Sequence, residues 1–412
     1  MAKTVPLDRR TLEWARSQFA TYYASASLEP PARLARREFA AFPFTEETLM
    51  RRHASFATRE AFQAYFPKEV PRHIYYSSAY YRHPAHPSMA AKEWLGADLI
   101  FDLDADHLRN AEGLGYAQQL SQVKEKLKLL VDDFLFGDFG VDPSSTSIVF
   151  SGGRGYHVHV RDEAFLGLRS PERRELVEYV LGVGFDPTAT VVTQWGTSST
   201  DPSPGGASDG RAQARRFKSL PPPSAPGWGG RTTRAVFRLL SRWEAQGPTV
   251  AAAEMAASGI PPTKARRWAK LLVDQGKGRH IRESLSLEVF PGGVPKEFLD
   301  AVLRQASIEV QGETDAPVTT DIHRLIRLPG SLHGGTGFRV VPLDRSALDR
   351  FEPLRDAYVP SRNGEQAKVE YRESVDYLFD DRSISGISGK RTELPTAWAL
   401  FLVLRGEAAL LP

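Results

Sequence analysis

Cysteine is absent from this chain of 412 residues, which excludes disulfide bonds, thiol catalysis and cysteine-ligated metal sites. Long apolar runs are absent as well. The longest run, near 397–404, falls far short of the ~20 residues that a membrane-spanning helix needs. No apolar signal core follows Lys3. From these absences we expect a cytoplasmic protein with no membrane partner.

A surplus of charge of one sign is also missing. Lys and Arg number 53 and Asp and Glu number 50, which gives a net charge of +3. This net charge is too small to indicate nucleic-acid binding, so any basic surface must come from local clustering. The hydrophobic content of 41% and charged content of 25% are typical of globular proteins, and the length allows two or three domains.

Two carboxylates at metal-binding spacing occur in the stretch 97–106. Apolar residues predict a short buried strand over 99–103, and alternation along that strand places Asp102 and Asp104 on one face. Neighbouring buried carboxylates repel each other unless a cation lies between them. Hard divalent ions, Mg²⁺ or Mn²⁺, prefer such oxygen ligands. The alternative is a strand end whose acids are simply hydrated. Asp106 falls where the strand ends and is left outside the candidate set.

The acidic stretch is ambiguous in a second way. Phe101-Asp-Leu-Asp104 resembles the nucleophile motif of haloacid-dehalogenase-type phosphatases, in which the first Asp is phosphorylated. Those enzymes usually continue with Gly-Thr, whereas Ala105-Asp106 follows here. The stretch alone leaves both chemistries open.

A glycine-rich turn, Ser151-Gly-Gly-Arg-Gly155, separates two predicted strands, 147–150 and 156–160. Glycines let backbone N–H groups approach a ligand closely, and Arg154 adds a forked cation suited to phosphate oxygens. His157 follows on the outgoing strand, where it could donate to a phosphate. The turn is neither a Walker loop nor a dinucleotide fingerprint. A plain hairpin is the alternative interpretation.

A third stretch, 321–333, contains Asp321, Arg327 and His333 around a Pro-Gly turn. Asp321 could complete a three-carboxylate set, since two metal ions about 3.5–4 Å apart need more than one pair of acids. The Arg and the His could close around a triphosphate or a template backbone. Read alone, the stretch also fits a strand, a turn and a core histidine.

Together the three stretches resemble the catalytic (small) subunit of archaeal and eukaryotic DNA primases, in the archaeo-eukaryotic primase superfamily. Segments 37–44, 50–56 and 75–81 look like that family's N-terminal pattern, and 394–406 looks like its C-terminal helix. The resemblance covers nearly the whole chain except about 195–310. The ordered series of three motifs leaves little room for the phosphatase interpretation.

The resemblance implies roles for particular residues. Three acids would ligate two catalytic ions, Mg²⁺ or Mn²⁺: Asp102, Asp104 and Asp321. Phosphates of the incoming nucleotide would be held by Ser151, Arg154 and His157, with help from Arg327 and His333, and Arg52 would lie near the nucleotide. The implied partners are single-stranded DNA template, nucleoside triphosphates and a large primase subunit, with the protein at the nucleoid.

One departure from the family concerns zinc. Family members usually carry a Cys/His knuckle shortly after the Asp-x-Asp strand, whereas the corresponding span, 107–119, holds one His and no Cys. No zinc site of the usual tetrahedral kind can form there, so we expect none.

The predicted fold class is α+β, a primase-type core with a central mixed sheet flanked by helices. Core helices are predicted over 8–23, 118–134 and 171–180. The core is expected to be discontinuous, 1–195 and 306–412. A flexible Gly/Ser/Pro-rich loop over 196–233 and a helical insert over 234–305, with helices at 234–243 and 263–273, complete the predicted organisation.

The predicted function is template-directed synthesis of short RNA primers on single-stranded DNA by two-metal nucleotidyl transfer, with DNA primers left open. One alternative is a repair or plasmid primase-polymerase of the same superfamily. The other is a non-catalytic nucleic-acid-binding scaffold, which the three acids disfavour.

Overall fold

The computed structural model describes residues 7–47, 49–107, 113–197, 214–291, 293–359, 364–380 and 382–412. The α-helices are α1 Arg9–Tyr23, α2 Arg59–Glu69, α3 Tyr116–Leu129, α4 Glu163–Leu166, α5 Ser170–Leu181, α6 Gly227–Gln246, α7 Pro248–Ala257, α8 Pro262–Ala269, α9 Lys277–Ser284, α10 Lys296–Glu309, α11 Ala316–Thr320, α12 Pro353–Asp356 and α13 Thr396–Arg405. The strands are β1 Phe39–Phe42, β2 Arg51–Ala54, β3 His73–Ser77, β4 Ala79–Tyr81, β5 Trp94–Ala97, β6 Leu99–Asp104, β7 Thr146–Phe150, β8 Gly155–Val160, β9 Val192–Thr197, β10 Ala214–Ser219, β11 Leu325–Arg327, β12 Val341–Leu343, β13 Gln366–Tyr371, β14 Val375–Phe379, β15 Arg382–Gly386, β16 Arg391–Pro395 and β17 Ala408–Leu410.

The chain divides into two compact units. The first comprises 1–128, 141–178 and 313–412, and the second comprises 129–140 and 179–312. The first unit contains two four-stranded sheets, in the orders β11-β3-β1-β2 and β12-β7-β8-β6. We call the second of these the motif sheet, because β6, β7 and β8 carry or flank the acidic and glycine-rich stretches.

The motif sheet is antiparallel in every described pairing, which corrects the predicted mixed sheet. The four-residue turn 151–154 makes β7 and β8 a hairpin. β8 then lies between β6 and β7 and pairs with both. The strand–helix–strand segment from β6 through α3 to β7 therefore never pairs its own two strands. The α+β class itself is confirmed.

The core of the first unit is built on α1. Asp8 caps this helix by accepting a hydrogen bond from the Thr11 backbone N–H at 2.7 Å. Ala15 and Phe19, on the apolar stripe at helical spacing, are fully buried. They pack in one hydrophobic cluster with β1 and β3, so the predicted helix over 8–23 is confirmed.

The predicted helix over 118–134 consists of two parts. α3 forms its first part, and residues 130–138 continue as a π-helix. The predicted apolar face is buried throughout, including Val123, Leu127 and Phe134. The predicted helix over 171–180 corresponds to α5.

The second unit contains α6 to α10 and the antiparallel hairpin β9–β10. The loop predicted over 196–233 is wrong for 214–219, which is a strand, and from Gly227 onward, where α6 begins, whereas 220–226 contains no helix or strand. Glycine suits this helix start, since Gly227 has φ +66° and a side chain at Gly230 would clash with the Ala225 carbonyl oxygen. Residues 198–213 lie outside the described residues.

The predicted insert helices at 234–243 and 263–273 fall within longer helical segments. The first lies inside α6, and the second spans α8 and a π-helical stretch, Lys270–Asp274. No helix in the described ranges is long and apolar enough to cross a membrane. The predicted limits of the core and the insert stay a prediction.

Candidate active site

The acid pair lies on β6. Asp102 and Asp104 are the two partly exposed positions of an otherwise buried strand, as the alternation predicted. Burial, followed by the charges of Asp104 and Asp315, raises the pKa of Asp102 to about 7. A divalent cation would oppose this mutual repulsion of carboxylates. The site thus has the oxygen donors and the electrostatics that suit such an ion.

Asp315 is the acid that the sequence analysis missed. Its backbone N–H donates to the Asp102 carbonyl oxygen at 2.8 Å, and the hydroxyl of Thr314 donates to the same oxygen at 3.3 Å. Asp315 is the N-cap residue of α11, yet its carboxylate makes no capping hydrogen bond. Its charge acts on Asp102 instead. The available signal was an acid just before the Ala-Pro start of a short helix.

Asp321 lies at the opposite end of α11. Its carboxylate accepts a hydrogen bond from the His323 backbone N–H at 2.9 Å, and its charge acts on Tyr81 and Arg173. No described contact joins Asp321 to the acid pair. Its predicted role as a metal ligand stays a prediction.

The acids do not form a closed metal cage. Within the described ranges, no group of three or more His, Asp or Glu side chains is placed to hold a metal ion. The fit to a divalent ion therefore depends on the donor chemistry of Asp102, Asp104 and Asp315, and on the raised pKa of Asp102.

His157 faces the acid pair from β8. It is paired in register with Asp102, and its Nε2 atom lies 3.5 Å from the Asp102 Oδ1 atom. Burial, with the charges of Arg327 and Arg324, lowers the pKa of His157 to about 3, so the ring is neutral. Its Nδ1 atom is buried and has no hydrogen-bond partner among the described residues. A buried unpaired nitrogen is costly unless a ligand engages it.

The glycine-rich turn is held closed from within. The Ser151 backbone N–H donates to the Gly155 carbonyl at 3.0 Å, and the Ser151 hydroxyl accepts from the Gly153 N–H at 3.2 Å. Glycine is required at position 152, because φ is +76° and a Cβ atom would lie 2.7 Å from the His333 Cβ. Arg154 extends from this turn and forms an ion pair with Asp106.

His333 is half-buried against the same turn. Its Nδ1 atom accepts from the Gly335 backbone N–H at 3.1 Å, which leaves the Nε2 atom to carry the proton. That Nε2 atom lies 3.1 Å from the place where a Cβ atom on Gly153 would be. Burial, followed by the charge of Arg327, holds the pKa of His333 well below its usual value, so His333 is a neutral donor beside the turn.

Arg327 is positioned by the pairing of β11 with β3. It donates to the His73 Nδ1 atom at 2.7 Å, and its guanidinium lies 4.9 Å from the ring centroid of Tyr75. Its charge acts on Asp102, His157 and His333. The predicted residues Asp102, Asp104, His157, Arg327 and His333 are therefore electrostatic neighbours.

Three further basic residues of the site were missed. The charge of Arg324 acts on Asp102 and His157. Arg72 donates to the Gly334 carbonyl oxygen at 3.2 Å, and His73 accepts from both Arg327 and the Gly334 N–H. The signal for Arg324 was its place in the third stretch. Nothing in the sequence marked Arg72 and His73, because their approach to 334 depends on sheet pairing.

Arg52 belongs to a separate ion-pair cluster. It donates to both carboxylate oxygens of the buried Glu38, at 3.0 and 3.2 Å, and Lys92 lies 3.3 Å from one of them. No contact within the described part of the chain brings Arg52 to the acid pair. Its predicted place near a nucleotide stays a prediction.

Comparison with known proteins gives one consistent family. A family model described as DNA primase small subunit matches residues 101–345. Proteins named DNA primase small subunit PriS are similar over nearly their whole length. The protein from Methanocella arvoryzae is 38% identical over 98% of this chain and 99% of its own. Those from Methanothrix thermoacetophila and Haloarcula marismortui are 39% and 35% identical, with the same coverage.

Proposed function

The chain belongs to the DNA primase small-subunit family, and from that premise we propose that primer synthesis takes place around the acid pair on β6. The predictions of a DNA primase catalytic subunit and of a nucleotidyltransferase are confirmed by this membership. The observation that carries the proposed site is that Asp102 lies opposite the neutral His157 across the β6–β8 pair and is acted on by the charges of Asp104 and Asp315.

The reaction joins a 3′-hydroxyl to the α-phosphate of an incoming nucleoside triphosphate. One P–O bond forms, the bond to pyrophosphate breaks, and the hydroxyl loses its proton. Asp102, Asp104 and Asp315 would hold Mg²⁺ or Mn²⁺, and bound ions of this kind activate the hydroxyl and neutralise the leaving group. Ionised carboxylates also attract the hydroxyl proton during attack.

We assign the triphosphate to the residues around the glycine-rich turn. Arg154 would release the Asp106 carboxylate and bind phosphate oxygens instead, because a guanidinium binds carboxylates and phosphates in the same forked manner. His333 would donate a hydrogen bond to a phosphate oxygen through its Nε2–H. The Nδ1 atom of His157, which has no partner among the described residues, would form a hydrogen bond with the nucleotide. Arg327 would stabilise negative charge that develops in the transition state. Ser151 would act through the turn, whose shape it holds.

The partners belong to the proposal. DNA template and nucleoside triphosphates follow from the family's activity. The name small subunit, carried by the relatives, supports a larger primase subunit as partner. Backbone contacts would hold the template largely independently of its sequence. A place at the nucleoid is part of the same proposal.

The test is primer synthesis on single-stranded DNA without added primer. Wild type and Asp104→Ala would be compared with labelled NTPs and then with dNTPs, each with and without a large subunit. We expect metal-dependent products from wild type and none from the variant, and the two nucleotide sets would report the sugar preference. Equal product from both proteins would contradict the assignment. A scaffold would make no product under any condition.

A further inference from the structure

The carbonyl oxygens of Gly152, Gly153, Arg154 and Gly155 in the glycine-rich turn accept hydrogen bonds from the protein. Gly152 accepts from the Thr336 hydroxyl at 2.5 Å and Gly153 from the Tyr116 hydroxyl at 2.5 Å. The Arg154 carbonyl accepts from the Ala105 N–H at 3.2 Å, and that of Gly155 from the Ser151 N–H at 3.0 Å. Two of these four donors are side chains from outside the turn, Tyr116 and Thr336.

These hydrogen bonds fix the direction in which the turn presents its N–H groups. No cis peptide bond occurs among the described residues, and the C=O and N–H of a planar trans peptide point in opposite directions. When Tyr116 holds the Gly153 carbonyl, the N–H of Arg154 must face away from Tyr116. A freed carbonyl could instead rotate toward the ligand, where it would repel a phosphate.

Tyr116 is built to hold that orientation. Its ring is 6% exposed and packs edge-on against Phe401, with centroids 5.7 Å apart. The guanidinium of Arg405 lies 4.8 Å from the ring centroid, and Arg405 is itself fixed by an ion pair with Glu407 at 2.6 Å. Burial raises the pKa of the Tyr116 hydroxyl, so the group stays protonated and remains a donor.

Thr336 is the matching donor on the neighbouring peptide. Its hydroxyl is buried and also accepts from the Phe338 backbone N–H at 3.1 Å. Thr336 lies three residues after His333, and its hydroxyl oxygen is 3.3 Å from the His333 Nδ1 atom. A side chain of α3 therefore binds the Gly153 carbonyl oxygen of the turn, and a side chain of the segment after His333 binds the Gly152 carbonyl oxygen.

We propose that Tyr116 and Thr336 are positioning residues for nucleotide binding, which orient the glycine-rich turn by binding its carbonyl oxygens. This inference rests on the proposed function of the turn as the triphosphate site. It assigns part of nucleotide affinity to two side chains that touch no substrate. It also connects the C-terminal segment around Arg405, which packs on the Tyr116 ring, to the site.

The first experiment compares Tyr116→Phe with Tyr377→Phe in primer extension. Both variants remove a hydroxyl from the same aromatic cluster, but that of the half-buried Tyr377 donates to Glu407, at 2.9 Å, and not to the turn. We expect Tyr116→Phe to raise KM for the incoming nucleotide roughly 10-fold, since it leaves a buried carbonyl unpaired, with kcat changed much less. Tyr377→Phe should leave KM within about twofold, because the hydrogen bond that it loses is made to Glu407 and not to the turn.

Thr336→Val is the second variant, and Thr336→Ser is its conservative counterpart. Val should raise KM as Tyr116→Phe does, and Ser should restore the wild-type value because it keeps the hydroxyl. Amide hydrogen exchange of the turn peptide should be faster in Tyr116→Phe and Thr336→Val than in wild type. Unchanged KM and unchanged exchange in both would overturn the inference.

Arg154→Ala separates failure of the inference from failure of the proposed function. If Arg154→Ala raises KM while Tyr116→Phe and Thr336→Val do not, the turn binds nucleotide but these donors do not position it. If none of the three changes KM, the turn is not the triphosphate site, and both proposals fall together. Raised KM in all three supports both.

Discussion

Asp315 and Asp321 lie at opposite ends of α11, and only one of them has its charge directed at the acid pair. Asp315 leaves its carboxylate out of helix capping and raises the pKa of Asp102. One carboxylate oxygen of Asp321 accepts a hydrogen bond from the His323 backbone N–H. The charge of Asp315 therefore acts on the acid pair, whereas that of Asp321 acts on Tyr81 and Arg173.

Turnover in two matched variants distinguishes these acids. Asp315→Asn removes one charge without changing size, and we expect it to reduce turnover on the order of 10²–10³-fold, the scale for losing one charge-stabilising group. Asp321→Asn should leave turnover nearly unchanged. Steady-state primer extension measures both. Full activity in Asp315→Asn with a severe loss in Asp321→Asn would restore the assignment made from sequence.

For single residues, the sequence predicted the chemistry of the candidate site better than it predicted which side chains lie close together there. Alternation on a buried strand was enough to place Asp102 and Asp104 together, because that pattern is local. The closeness of Asp315 to Asp102 depends on how α11 packs on β6, and this is a tertiary contact. Arg72 and His73 escaped prediction for the same reason, since pairing of β3 with β11 brings them to the site.

The elements of the motif sheet are anchored by a buried ion pair. Arg37 donates to the Asp98 carboxylate at 2.7 Å, and both side chains are fully buried. Arg37 also donates to the Ser78 carbonyl at 2.7 Å, and Arg173 donates to the backbone carbonyl of Asp98 at 3.0 Å. Asp98 directly precedes β6, so this network fixes the beginning of the strand that ends in the acid pair.

Removing one member of this pair should be costly. Asp98→Ala leaves the Arg37 guanidinium buried without its counter-charge, and we expect a loss of about 3–5 kcal/mol in the free energy of unfolding. Urea denaturation measures this loss. The control is Glu13→Ala, which removes an exposed ion pair with Arg9 on α1 and should leave the midpoint unchanged. Equal midpoints for both variants would contradict the structural role of the pair.

The local elements were predicted well and their arrangement less well. Helical periodicity located α1, α3 and α5, and alternation located β6 and β8. The mixed sheet was wrong because strand order is decided by the hairpin that inserts β8 between β6 and β7. The predicted loop over 196–233 was wrong at the start of α6. The glycine content there indicated a loop, but Gly227 and Gly230 permit the close backbone approach at the start of the helix.

At the scale of the whole molecule, the three motifs lie in one compact unit although more than 200 residues separate the first from the last. The family resemblance supplied what periodicity could not, namely that these distant stretches meet. Sequence also indicated the departure from the family at the zinc knuckle, since no cysteine is available anywhere in the chain.

Metal removal tests that departure on the intact protein. A zinc-selective chelator, with Mg²⁺ or Mn²⁺ in excess, should leave both the melting temperature and primer synthesis unchanged, because structural zinc sites of the Cys/His kind need thiolates. Chelation of all divalent ions should abolish synthesis, and adding Mg²⁺ or Mn²⁺ back should restore it. Loss of stability with the zinc-selective chelator would reveal a site built from other ligands.

We propose that Asp102 and Asp104 on β6 and Asp315 at the start of α11 together hold the ions of nucleotidyl transfer. Calorimetric titration of Mn²⁺ into wild type, Asp102→Asn, Asp315→Asn and Asp321→Asn tests it most directly, because it needs no template, partner or turnover. We predict that wild type and Asp321→Asn bind Mn²⁺. In Asp102→Asn and Asp315→Asn, Mn²⁺ binding should be at least about tenfold weaker, a difference of roughly 1.4 kcal/mol. Binding that survives in Asp102→Asn and Asp315→Asn would contradict the account.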